Sequence, residues 1–274
     1  MIVWRKWVGF SCRVVMLSAV VLGLRIVAAV AGDERASANT LAAFFESVVF
    51  GAEYEDIAKS STMVKKWRSA LRINVSAFGG EMIDKPGGGK ELKLEQQKPR
   101  PEHVQSIQKH LNTLVKLTGV KTEDGKKTGE SHNFLIKFVP RMAMAGPFLF
   151  KGFTGVTPEM LTGLATPGVC YFLTAADGAG DIILAVIVVN NQLDDNQVDA
   201  CLLEEMTQAL GLPNDSDLVE PSVFNNKSVR RTLSANDEIL LRVLYDKRMP
   251  AGTPRRQAVK IARELIRDME REKQ

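Results

Sequence analysis

Ile182 to Val189 is an unbroken run of apolar residues, most of them β-branched. A half-buried strand alternates polar and apolar residues, so a run without alternation reads as a central strand buried on both faces. A chain carrying such a strand must build a sheet and cover it. Other strands are expected near it. Leu71 to Phe78 alternates like a half-buried strand, Phe134 to Val139 ends at Pro140, and Gly168 to Leu173 is followed by a turn at Ala176-Asp177-Gly178. Helices are expected at 38–59, where Leu41, Phe44, Phe45, Val48 and Val49 form one apolar face, and at 102–117, through Val104, Ile107, Leu111, Leu114 and Val115. A third helix runs from Asp194 to Leu210, with Asp194 or Asp195 as its cap. This mixture of segments predicts an α+β domain.

Three stretches lack a period. Pro86 to Gly89 and the polar Lys90 to Pro101 read as a loop-like insertion near 84–101. A second polar loop spans 120–131. Residues 141–168 are rich in Gly, Pro and Met, and Met142, Met144 and Met160 read as core filler. His103 and His110 could share a helix face, where a surface pair is expected rather than a metal site. The last segment, 255–272, is an amphipathic helix with a basic polar face. Packing on the domain is its first reading, ahead of contact with a membrane surface.

Residues 1–31 have the form of a secretory signal: Arg5, Lys6 and Arg13 precede the apolar Val14 to Val30, and Ala29-Val30-Ala31 is a small-x-small cleavage site. The remainder, 32–274, has the length of one domain. Four of the 36 basic side chains lie in the signal and none of the 32 acidic ones do, so the remainder is neutral. Net charge therefore makes no case for nucleic acid. A membrane role is expected only through an uncleaved signal. Of three cysteines, Cys170 and Cys201 remain, and an even pair in an exported chain predicts a disulfide that stabilises by roughly 3 kcal/mol.

The chemistry-bearing stretch is Glu204-Glu205-Met206-Thr207-Gln208-Ala209-Leu210-Gly211-Leu212-Pro213-Asn214-Asp215. Glu204 and Gln208, four apart, share one helix face, with Cys201 a turn earlier. Gly211 suits a left-handed helix stop that would bring Asn214 back toward the same point. The spacing is that of the zinc-protease motif H-E-x-x-H-x-x-G-x-x-H-D, with Glu204, Gln208 and Asn214 at the ligand positions. Glu205, Gly211 and Asp215 are retained. Downstream, Pro221 to Asn226 stands where a methionine turn would, with Phe224 for the methionine, and Leu233 to Asp237 with Leu244-Tyr245 matches a closing L-x-x-x-D…L-Y helix. On these residues the segment from 182 to 246 resembles the matrixin-type metzincins. The whole remainder resembles an uncharacterised family of exported bacterial proteins with the E-E-x-x-Q version.

That resemblance implies a zincin-like fold with a twisted mixed sheet, a motif helix and a mostly helical C-terminal part. It makes Gly211, Asp215, Phe224 and Tyr245 structural, Glu205 the one candidate catalytic residue, and Glu204, Gln208 and Asn214 the former metal-ligand positions. One carboxylate and two amides are poor zinc ligands, so no metal and no cofactor is expected. Gln208 and Asn214 are expected instead to bond Glu204 and Glu205 in the metal's place. The implied function is a protease-like protein without zinc hydrolysis that binds a peptide or envelope protein. The alternatives are a hydrolase with altered chemistry at Glu205, with or without a hard metal, and a purely structural envelope protein. Glu204 and Glu205 point about 100° apart on a helix, which argues against a cooperating acid–base pair.

Overall fold

The computed structural model describes residues 35–51, 61–225, 227 and 229–272. The expected signal, the expected helical residues 52–59 and Asn226 lie outside them. The chain from Asp33 onward forms one compact unit. Its sheet has five strands in the order β2-β1-β3-β5-β4. They are β1 (Ile73–Asp84), β2 (Lys90–Gln97), β3 (Phe134–Val139), β4 (Cys170–Ala176) and β5 (Ile182–Asn190). β1, β3 and β5 run parallel, while β2 and β4 are antiparallel edges. The fold class is α+β, as the segment pattern predicts.

Two apolar layers explain the run in β5. Ala185, Ile187 and Val189 pack into the larger core, and Val186 and Val188 into a second core on the opposite face. The larger core is covered by five helices: α1 (Ala38–Phe50), α2 (Pro101–Thr118), α5 (Asp195–Gln208), α6 (Ala235–Tyr245) and α7 (Arg255–Arg271). The second face is covered by the aperiodic stretch after β3. It folds as two 3-10 turns, Arg141–Ala143 and Pro147–Phe150, and a short helix, α4 (Pro158–Ala165), capped by the Thr157 hydroxyl. A four-residue helix, α3 (Gly125–Thr128), lies in the polar loop before β3.

Three expectations need correction. The polar stretch after Gly89 is a strand, β2, zipped onto β1 from Asp84↔Lys90 to Ala77↔Gln97. Its Lys and Glu residues hide the alternation, yet Leu92 and Leu94 pack against the second core. Met142 is exposed, not core; Met144 is the buried one. Lastly, α2 is rotated from its expected face: Val104 is exposed and the buried residues are His103, Ile107, His110 and Leu114. The histidines are therefore internal. His103 stacks on Phe138 at 4.5 Å, leaving its Nε2 without a hydrogen-bond partner. His110 Nε2 reaches the Asp199 carboxylate at 2.7 Å, joining α2 to α5. An imidazole can do this because its body is apolar and only its tip needs a partner.

Cys170 at the start of β4 is bonded to Cys201 in α5, closing the expected disulfide. The two positions are 31 residues apart, so losing the bond (Cys170→Ala with Cys201→Ala) should lower unfolding free energy by roughly 3–4 kcal/mol in denaturant melts. The histidines make a second prediction. Burial lowers both pKa values below 6.5; for His103 the Arg100 charge adds to it, and for His110 the Asp199 carboxylate opposes it. Above pH 6.5 folded and unfolded chains hold these groups alike. Below it the unfolded chain takes up protons that the folded chain refuses, so stability falls as pH drops from 6.5. Denaturation midpoints at pH 7.5 and 5.5 should differ, and His103→Phe, which keeps the stack and removes the orphaned nitrogen, should narrow the difference.

Candidate functional site

α5 begins with a full capping box, Asp194 with Gln197, and is buried on most of its circumference. That burial follows from its position between the sheet and α2. Glu205, Thr207 and Gln208 are among its buried residues, while Glu204 is half-buried.

The end of α5 is where the sequence motif becomes geometry. Gly211 adopts φ +111°, in the region that favours glycine, and a Cβ there would stand 2.1 Å from the Lys65 carbonyl oxygen. The chain therefore reverses tightly against the 65–67 segment. Helix ends leave carbonyls without intrahelical partners. Here the Trp67 indole donates to Ala209 O at 2.9 Å and the Tyr245 hydroxyl donates to Leu210 O at 2.7 Å. Tyr245 also accepts from the Trp67 backbone N–H at 3.2 Å. Burial pushes its phenol pKa well above the ordinary value. Lys66, between these partners, is buried as well. Its ammonium donates to Leu244 O at 2.9 Å and lies 5.3 Å from the centre of the Tyr245 ring. Burial brings its pKa down to about 8, against the raising effect of Asp246.

Beyond Gly211 the chain runs back past α1. Gln208 Nε2 donates to Asp215 Oδ1 at 2.7 Å. Asn214 Nδ2 donates to Ser47 O at 3.2 Å, in the last turn of α1, and to Asp215 O at 2.7 Å. Carboxylate and carbonyl oxygens only accept, so these contacts fix both amides with nitrogen turned toward their partners. The structure thus brings Gln208 to Asp215 and takes Asn214 to α1. The side-chain bonds shown for these two amides among the described residues go to Asp215 and Ser47. The two glutamates differ in setting, and the charge of Glu205 reaches the phenol of Tyr171 on β4, adding to the effect of burial in raising its pKa. Among the described residues, no group of three or more His, Cys, Asp or Glu is arranged to hold a metal ion.

The segment after the motif is held by one buried carboxylate. Asp237 Oδ1 accepts from the Ser222 hydroxyl at 2.6 Å, and its Oδ2 accepts from the backbone N–H groups of Ser234 at 2.7 Å and Val223 at 3.2 Å. Burial raises the Asp237 pKa against these donors. The loop it pins delivers Phe224 to the core, with its ring edge-on to Phe44 at 5.9 Å. Phe224 O accepts from Ser216 N at 2.7 Å, tying the loop to the residue after Asp215. Sequence reasoning finds Gly211, Phe224, Asp237 and Tyr245 but misses Ser47, Lys66 and the pairing role of Trp67. Nothing local marks those three, because their partners lie more than a hundred positions away.

Chemically, the arrangement ties chain segments together through amides, a phenol and a carboxylate. Two substitutions separate its parts. Gln208→Ala removes the donor to Asp215 and should cost about 1–2 kcal/mol in a denaturant melt. Gly211→Ala forces a side chain into the Lys65 carbonyl at a positive φ and should cost more, about 3 kcal/mol or above. Equal effects would contradict this division.

The chain belongs to a family described as "Protein of unknown function (DUF2927)", whose model matches residues 38–264. No curated protein and no solved structure matches it.

Proposed function

We propose that this member of the family is an exported, metzincin-like domain that has lost zinc hydrolysis and holds an extended peptide or envelope protein along the edge of β4. The observation that carries the reading is where the two amides go. The residues at two former ligand positions, Gln208 and Asn214, are spent on Asp215 and the end of α1. A side chain committed in this way supports a frame rather than a hydrolytic centre.

The two sheet edges support a binding role. Exposed strand edges invite pairing, and proteins usually blunt them with charge. β2 alternates Lys and Glu along its length, whereas β4 (Cys170–Ala176) has no charged residue. Among the described residues no strand pairs with the outer side of β4. The register tells which backbone groups face outward. Asn190 N donates to Val169 O, so Val169 pairs with Asn190 across hydrogen bonds and the odd-numbered residues of β4 repeat that pattern. Phe172 and Thr174 then point their N–H and C=O away from β5, available for an added strand. The disulfide to Cys201 keeps this edge beside α5.

The test uses the protein against a library of extended decapeptides, read by fluorescence anisotropy and mass spectrometry. Capture without cleavage is expected. Thr174→Pro removes an outward N–H while leaving the β4–β5 ladder intact, and should weaken capture at least about fivefold. Tight stoichiometric zinc with peptide cleavage, both lost in Glu205→Gln, would overturn the reading.

A further inference from the structure

The apolar face of α7 is consumed by the domain: Ala258, Val259, Ala262, Leu265 and Ile266 are all buried in the main core. Its opposite face is exposed and carries Arg256, Lys260, Arg263 and Arg267 at spacings of four, three and four. At about 1.5 Å per residue these cations form a straight stripe roughly 16 Å long. Neighbouring cations on this side are matched: Arg255 with Glu46, Arg248 with Asp246 and Asp268, and Arg271 with Asp268. Among the described residues none of the four stripe side chains has an ion pair or hydrogen bond, although Glu264 and Glu270 lie at its borders. Like charges three and four apart on a helix repel one another. An array that no described residue matches, on a helix whose other face is packed, offers a site to an anion.

We propose that the basic stripe of α7 lies flat against the anionic phospholipid headgroups of a bilayer. This goes beyond the peptide-binding reading and does not rest on it. Three of the four cations are arginines, whose planar forks suit phosphate oxygens. The stripe lies on the exposed side of α7 with no aromatic residue on it, which fits a flat phosphate surface better than a nucleic-acid strand needing a groove and stacking platforms. Insertion of α7 is ruled out because its apolar face is already buried; the contact is electrostatic and superficial. The entry of the chain into the domain points the same way. Arg35 donates to the carbonyls of Ile266 and Met269 at the C-terminal end of α7, and the apolar stretch ending at Val30 lies five residues upstream in sequence. If that stretch acts as the expected signal, it delivers the start of the domain to a bilayer.

The experiment is co-sedimentation of the chain from Asp33 onward, one compact unit, with vesicles of phosphatidylcholine containing about a third phosphatidylglycerol. Binding is expected there and not to phosphatidylcholine alone, and salt near half-molar should release the protein. The variant R256Q/K260Q/R263Q/R267Q should bind at least about tenfold more weakly. R256K/R263K/R267K keeps the charge and should bind. If the glutamine variant does not fold, the salt titration and the lysine variant still decide. Equal binding to both vesicle types, indifference to salt and to the glutamine substitutions, or capture of soluble poly-glutamate or DNA with vesicles left unbound would each overturn the proposal.

Discussion

The position of the candidate site depends on how the turn that closes α5 is held. The backbone N–H groups of that turn satisfy carbonyls of the last turn of α5, and the turn's own carbonyls, Ala209 O and Leu210 O, find donors in Trp67 and Tyr245. Trp67 is buried and Tyr245 partly so, and satisfying this turn also fixes the 65–67 segment and the end of α6. Gly211 allows the chain to leave that junction, because only a residue without Cβ passes the Lys65 carbonyl. Asp215 and Asn214 are then delivered to Gln208 and to α1. The motif is rigid because its exit is.

Asp237 does for the following loop what Trp67 and Tyr245 do for the helix. It caps α6 and at the same time holds Ser222 and Val223, so one buried carboxylate sets both where α6 starts and where Phe224 points. Such a group costs desolvation free energy, and three donors offset that cost. The same logic appears between α2 and α5. His110 meets Asp199 there, with Lys109 on the other carboxylate oxygen.

Much of this was legible in the sequence wherever a local pattern had one cause. The β5 run is continuous because both its faces are covered, and the α5 cap is a complete capping box. Patterns with two causes misled. β2 is a strand whose edge position demands charge, so its alternation reads as a polar insertion. α2 puts imidazoles in core positions, so its apolar face reads one step out of phase. At the site, the spacing singles out Gly211, Asp215, Phe224 and Tyr245, and the structure puts Gly211 at the turn after α5 and Phe224 in the core. The destination of Asn214 does not follow from it, since Ser47 lies 167 residues away and only the packing of α1 brings it near.

Under the proposed function, amides at positions 208 and 214 have a physical meaning that the spacing alone does not carry. A metal joins its ligands through one shared point. Remove it, and each ligand position must find its own partner or remain an unsatisfied buried polar group. Histidine would serve poorly at Asn214, whose one nitrogen donates to two carbonyls at once. The amides therefore hold the turn together as separate links where a metal would be one. A frame stabilised in this way has no need to open its ligand positions to water. The uncharged edge of β4 is tied to the same helix by Cys170–Cys201, and under the proposed function recognition falls to the backbone groups there.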